Sequence, residues 1–356
     1  MTLDIIRYRL HNQRLTHNQF TQPGEAVAWL GAVQSQDYAG AKWGLGLRIR
    51  DAIEAAIETA FNEGNILRTH ILRPTWHFVA PEDIRWMLAL TAPRVHAANA
   101  FMYRQLELDR SILRKSYKVL EKVLRGGKHL TRAELGSALA KAGIPAEGLR
   151  LGYFMMSAEL DGIICSGARK GKQFTYALLE ERAPQARGLQ RDEALTELSR
   201  RYFRGHGPAT LQDFVWWSGL TMNDARNGVE AVRPEFEHEI IGNQTYWFPV
   251  SGVARNLPSS VHLLPNYDEY TVGYRDRDAI FDASHIAKLG SRQSLLAQSI
   301  LINGQVEGLW NRTIKKSEVI VEISPFTPLK QPQNNAIIAA AEQYGNFLGL
   351  TTKVLI

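Results

Sequence analysis

Residues 131–178 read TRAELGSALAKAGIPAEGLRLGYFMMSAELDGIICSGARKGKQFTYAL. Thr131-Arg132-Ala133-Glu134 is a capping box: the threonine hydroxyl caps a helix, and the glutamate reaches back to the first amides. That helix stops at Gly143, with Ile144-Pro145 following at once. Leu151, Phe154, Met155 and Ala158 form one apolar stripe at helical spacing, ended by Gly162. Ile163 to Ser166 then reads as a strand, and Phe174, Tyr176 and Leu178 alternate along a returning one. Between them Gly167-Ala168-Arg169-Lys170-Gly171-Lys172 makes a turn of glycines and cations. Two short helices followed by a basic hairpin is a winged-helix pattern, with Arg169, Lys170 and Lys172 at a tip suited to phosphate.

The pattern recurs. Thr210 to Asp213 and Thr221 to Asp224 cap two further helices, ending at Gly219 and before Pro234. A hairpin then turns at Gly242-Asn243. A weaker copy lies near the N-terminus, where Asp51 and Glu54 open a helix stopped by Gly64, and 66–79 reads as a hairpin broken by Pro74. Helices over 82–100 and 103–124 connect these units, and 184–191 is a linker. From Val261 strands dominate, over 261–264, 300–310 and 318–323, before a closing helix over 335–347 and a short last strand. The expected fold is α+β: three tandem winged-helix units at 1–100, 101–182 and 183–255, then a β-rich segment at 256–356.

The 356 residues are 45% hydrophobic and carry a net charge of +6. No apolar run reaches the roughly 18 residues a membrane helix needs, and Met1 opens onto Asp4 and Arg7, unlike a signal peptide. A single cysteine, Cys165, leaves no disulfide framework or cysteine-rich zinc site and points to a reducing cytoplasm. Cations crowd the stretch from Arg104 to Arg132, including Arg114, Lys115, Lys118 and Lys122. Meeting DNA, such charges would release counterions and give salt-sensitive binding; otherwise they are a solvated helix face.

Nucleotide-binding loops, dinucleotide fingerprints, H-E-x-x-H and G-x-S-x-G are all absent from the sequence. Neither a metal nor a cofactor is expected. The unusual feature is Gln34-Ser35-Gln36. A helix begun near Gly24 would place Val27, Leu30, Gly31 and Gln34 on one face, so Gln34 occupies a position where leucine is expected. A buried amide without partners costs roughly 2 kcal/mol or more, so Gln34 needs a hydrogen-bonding environment. If the chain leaves the helix there in extended form, Gln34 and Gln36 point the same way and converge on one small polar object. The bland alternative is a helix end with one structural and one solvated glutamine.

Four stretches extend the argument: Val33 to Asp37, Leu72 to Val79 (LRPTWHFV), Trp216 to Leu220 (WWSGL) and Leu264 to Tyr270 (LPNYDEY). Together they resemble the AlkZ- and YcaQ-like winged-helix DNA glycosylases, over about residues 5–350. That resemblance implies three tandem winged helices in a C-shaped protein embracing double-stranded DNA, acting as a monomer on alkylated or crosslinked sites, in the cytoplasm and on the nucleoid. It also implies catalysis by a Gln-x-Gln or Gln-x-Asp motif on the concave face, and Gln34 and Gln36 match the outer positions of the first form; the centre, usually aliphatic, is Ser35. The activity so implied is monofunctional hydrolysis of the N-glycosidic bond of N7- or N3-alkylated purines, including the unhooking of interstrand crosslinks. A transcriptional regulator that uses winged helices for affinity alone is the other reading.

The chemistry is coherent. N-glycosidic hydrolysis passes through an oxocarbenium-like state, and a purine alkylated at N7 or N3 already leaves as a cation. A glutamine carbonyl can then orient water without acting as a base. Other residues have their own readings. Asp268 or Glu269 could supply a carboxylate base or merely stabilise a loop. Arg275 and Arg277 could touch phosphate or pair with Asp276 and Asp278. His77 is more simply a strand histidine, Trp216 and Trp217 core residues with one wedge conceivable, and Lys170 a cation, not an amine nucleophile.

Overall fold

A computed structural model describes residues 3–16, 20–250, 259–286 and 296–356. Helices and small antiparallel sheets alternate along the chain, and one larger sheet lies near the C-terminus. Strands β1 (Val33–Gln34), β2 (Leu67–Ile71) and β3 (Thr75–Val79) form a sheet in the order β1-β3-β2. Strands β4 (Leu130–Thr131), β5 (Ile164–Ser166) and β6 (Thr175–Leu178) form a second, ordered β4-β6-β5. Strands β7 (Phe236–Ile241) and β8 (Gln244–Pro249) make a hairpin. Strands β9 (Val261–Leu264), β10 (Ser299–Ile302), β11 (Gln305–Ile314), β12 (Glu318–Pro325) and β13 (Thr351–Leu355) form the five-stranded sheet. Its edge strand β13 runs parallel to β12, reached through the Gln331–Leu348 helix.

Local signals shaped local structure. The capping boxes at Thr131, Thr210 and Thr221 all form, starting helices Arg132–Lys141, Leu211–Ser218 and Met222–Val232. Gly64 and Gly219 end their helices in the left-handed conformation.

Three expectations change. The helix begun at Pro23 ends at Leu30, because Gly31 turns the chain with φ of 80°, and Gln34 lies on strand β1. The break between the helices expected over 82–100 and 103–124 lies later: Ile84–Gln105 runs on past Pro93, Glu107 takes a positive φ of 54°, and Arg110–Leu124 starts anew under an Asp109 cap. The expected strand over 300–310 is the β10–β11 hairpin, folded at Asn303 and Gly304, both with positive φ.

The cores do not follow chain order. Leu120, Leu135, Phe154 and Tyr176 close a core drawn from residues 108–178 alone. Elsewhere, Val27, Trp43 and Phe78 pack with Leu264, Trp310 and Tyr344 from the C-terminal region. Leu67 and Trp86 pack with Phe203, Trp217 and Tyr274. The N-terminal sheet is therefore gripped between two later parts of the chain, and Gln34 lies on that sheet.

Candidate active site

Strand β1 exists because Gly31 releases the chain from its helix and β3 supplies partners for pairing. Val33 lies opposite Phe78 and Gln34 opposite His77. Side chains alternate across the strand, so Gln34 and Ser35 face opposite sides. Ser35 is fully buried; its amide donates to the Trp76 carbonyl at 2.8 Å, and its own carbonyl accepts from Arg68 Nε and Nη2 at 3.2 and 3.1 Å. A serine in the middle of the motif is thus anchored through its backbone, with its hydroxyl left unpaired inside.

Gln34 is buried, at 7% exposure, and has the partners its burial requires. Its backbone N–H donates to Glu269 Oε1 at 2.8 Å. Its carbonyl Oε1 accepts from Arg73 Nη2 at 3.0 Å. Gln36, two residues on, is exposed just before the Tyr38–Gly46 helix, and among the described residues its amide has no hydrogen-bond partner. The structure therefore places one amide in a fixed cradle and the other facing solvent.

Both carboxylates considered as a base are engaged. Asp268 takes a two-point ion pair from Arg48, at 2.9 and 2.8 Å, and also accepts from the Tyr270 amide. Glu269 is fully buried. Besides the Gln34 amide it accepts from Trp217 Nε1 at 3.0 Å and is paired with His206 Nε2 at 3.3 Å. Burial pushes the Glu269 carboxyl up, but the His206 hydrogen bond and the Gln34 amide more than offset this and hold it below its ordinary range. Glu269 therefore fixes the motif's backbone as a charged acceptor.

His77 is fully buried, with Nδ1 against the Thr75 carbonyl at 3.0 Å and Nε2 unpaired. Burial, reinforced by the nearby Arg73 charge, lowers its pKa to about 3, so the imidazole stays neutral near pH 7. The two tryptophans separate. Trp217 is core, whereas Trp216 is 40% exposed, its indole N–H held by the Val272 carbonyl at 3.0 Å.

The cations proposed from sequence also divide. Arg169 turns inward: its guanidinium lies over Tyr38 and Phe174 and 3.8 Å from Glu58, and its amide donates to Asn62. This attaches the β5–β6 hairpin to the helices at 38–46 and 54–63. Lys170 is exposed and pairs with Glu134 at 2.8 Å, and Lys172 is exposed. Arg275 is exposed, with its amide fixed by Asp213. Arg277 is half-buried and is not ion-paired among the described residues; its Nε is held by the Thr271 carbonyl at 2.7 Å. The sequence reading missed Arg73, although it sits in the quoted LRPTWHFV stretch. Its signal was an arginine directly before a proline at a hairpin turn.

Among the described residues no helix is long and apolar enough to cross a membrane, and no cluster of metal-ligating side chains occurs.

The mixed α/β chain has counterparts among known proteins. The AlkZ-like DNA glycosylase family matches residues 27–347, and the chain belongs to that family. An interstrand DNA cross-link repair glycosylase of Streptomyces sahachiroi is 22% identical, with 93% of this chain and 94% of that protein aligned. The structure of the Streptomyces sahachiroi DNA glycosylase AlkZ superposes with a TM-score of 0.80 at 18% identity, covering 99% of this chain and 98% of that one. At that identity the superposition speaks for the fold alone.

Proposed function

We propose that this protein is a monofunctional DNA glycosylase that removes purines alkylated at N7 or N3 from double-stranded DNA, crosslinked purines included, with Gln34 and Gln36 presenting the attacking water. The observation that carries this is the fixed Gln34 amide followed by the solvent-facing, unpartnered Gln36. Arg73 occupies one lone pair of the Gln34 carbonyl, so the remaining lone pair and the amide N–H groups are what Gln34 offers to water or sugar. Gln36 is the freer acceptor.

The charges nearby suit the reaction. A cationic purine departs without a general acid, and the positive charge left on the sugar must not be repelled. His77 stays neutral, and the buried Glu269 carboxylate offsets Arg73. The carbonyl ends of the amide dipoles can face the charge that develops on the sugar. A labile leaving group makes water placement the principal task, and an amide performs it with no proton to gain or lose.

Around this site we assign three tandem winged-helix units that embrace the duplex as a monomer. Lys170, Lys172 and Arg275 touch backbone phosphate, and Arg169 secures the wing that carries the two lysines. The related cross-link repair glycosylase supports including crosslinked purines as substrates.

The test is base release from a duplex carrying a single N7-alkylguanine, with DNA affinity measured in parallel. Gln34→Ala and Gln36→Ala should each lose excision while binding DNA as before. Release unchanged in both variants removes the amide pair from the mechanism. No release by the natural protein, with salt-sensitive binding intact, leaves a DNA-binding protein without this chemistry.

A further inference from the structure

Arg73 and Arg277 come from segments far apart in the chain but share one indole. Their guanidinium carbons lie 5.6 and 5.5 Å from the centre of the Trp216 ring. Neither has a carboxylate within ion-pair distance among the described residues. Of the acids that act on them electrostatically, Asp276 stays beyond ion-pair distance and holds the Asp278 amide, and the other two are saturated. Glu269 is taken by the Gln34 amide, Trp217 and His206. Asp213 is taken by the amides of Arg275, Asp276 and Thr210 and by the Thr210 hydroxyl, with Arg9 a further 3.9 Å away. Arg73 Nε and Arg277 Nη2 are buried without any partner.

Two like charges sit together with buried N–H groups unspent, which is costly unless an anion joins them. Burial lowers the Arg277 pKa to about 10, and the Arg73 charge adds to that lowering even though Asp213 and Asp276 work against it. The pair is also rigidly built. The Thr271 carbonyl holds Arg277, the Val272 carbonyl holds Trp216, and Glu269 of the same turn holds the Gln34 backbone.

We propose that Arg73 and Arg277, carried on Trp216, bind one backbone phosphodiester of the strand that bears the target nucleotide. Because Arg73 also bonds the Gln34 amide, the phosphate and the catalytic amide share one support. Docking that phosphate registers the sugar against Gln34. A guanidinium suits this role because its planar fork offers two parallel N–H groups to a phosphate, where an ammonium offers a point charge. The site rests on the DNA-binding half of the function proposed above, and not on excision.

The test is the salt dependence of binding to undamaged duplex. Each phosphate contact contributes about 0.9 to the slope of log affinity against log salt concentration. Arg277→Gln should lower the slope by part of one such unit, and the Arg73→Gln/Arg277→Gln double variant by about one in all, because both guanidiniums meet a single phosphate. Arg277→Lys should keep the slope while weakening affinity. A set of duplexes, each with one neutral methylphosphonate, should contain a linkage at which the natural protein loses affinity and the double variant loses none. If Arg277 only braces Trp216, Arg277→Gln will weaken binding with the slope unchanged. An unchanged slope in an Arg277→Gln protein that melts like the natural one, or no such linkage, overturns the proposal. Loss of excision in the natural protein with these slope changes intact would sink the catalytic reading and leave this one standing.

Discussion

Glu269→Gln changes almost no volume and tests whether a buried carboxylate fixes the Gln34 segment. The carboxylate only accepts, and it meets the Gln34 amide at 2.8 Å on one oxygen, and Trp217 Nε1 at 3.0 Å and His206 Nε2 at 3.3 Å on the other. An amide must turn one of those oxygens into an N–H group. Facing Trp217 it meets an indole that can only donate; turned over, it meets the Gln34 N–H. Either way at least one buried donor is left unpaired, at about 1–3 kcal/mol, and the remaining bonds fall from charge-assisted to neutral, about 1 kcal/mol more. The expected loss is therefore about 2–4 kcal/mol, a large share of the ~5–15 kcal/mol of a typical domain. Urea unfolding followed by circular dichroism measures it through the midpoint at constant m. The pH dependence supplies an independent check. The folded carboxyl titrates below its unfolded range, so its stabilisation is present above the unfolded pKa of about 4.3 and is lost as pH falls through the folded value. The difference between natural protein and variant should shrink across that window. A loss under about 1 kcal/mol, or a difference that does not change with acid, would refute the view that Glu269 pins the motif.

Two further expectations concern the same region. At Gly219, with φ of 71°, an added Cβ collides with the Leu72 carbonyl oxygen, next to Arg73. Gly219→Ala should therefore cost about 2 kcal/mol or more and weaken DNA binding, because it pushes the Trp216 helix away from the Arg73 turn; an unchanged melting temperature would show that this contact yields. His77 and His262 are buried with pKa values lowered to about 3 and about 4, chiefly by burial. The folded state thus binds fewer protons than the unfolded one below about pH 6.5, and stability should fall on acidification from there toward pH 4. Replacing His77 with Asn should flatten that part of the stability profile, and a profile as steep as before would assign the acid sensitivity elsewhere.

Much of the fold was legible because its signals are local. A threonine, a glutamate or aspartate three residues on, and a glycine stop are read within one helix, and the boxes at Thr131, Thr210 and Thr221 formed as expected. The site was only half legible. The sequence showed that Gln34 was a polar residue in an apolar pattern and needed partners, but a helical reading carried it past Gly31. A glycine on a continuous apolar stripe does not reveal whether it packs or turns the chain. Trp216 and Trp217 are adjacent and equally apolar, so composition cannot separate them; the packing of the Leu211–Ser218 helix sends Trp217 to the core and leaves Trp216 partly exposed. Arg169 read as a wing cation, yet the β5–β6 hairpin lies near Tyr38 and Glu58, far away in the chain, and the guanidinium turned to them.

The sequence by itself determined the helix caps, the hairpins, the amide pair and the resemblance, since each depends on residues a few positions apart or on motif identity. The tertiary structure alone decided that Glu269 holds the Gln34 backbone, that Arg73 holds its side chain, and that Arg73 and Arg277 meet at Trp216. Those partners lie on segments whose separation along the chain carries no information about distance. They come together only when the N-terminal sheet is buried against the later helices and the Asp268–Gly273 turn, where desolvation makes every unpaired polar group costly enough to select its partner.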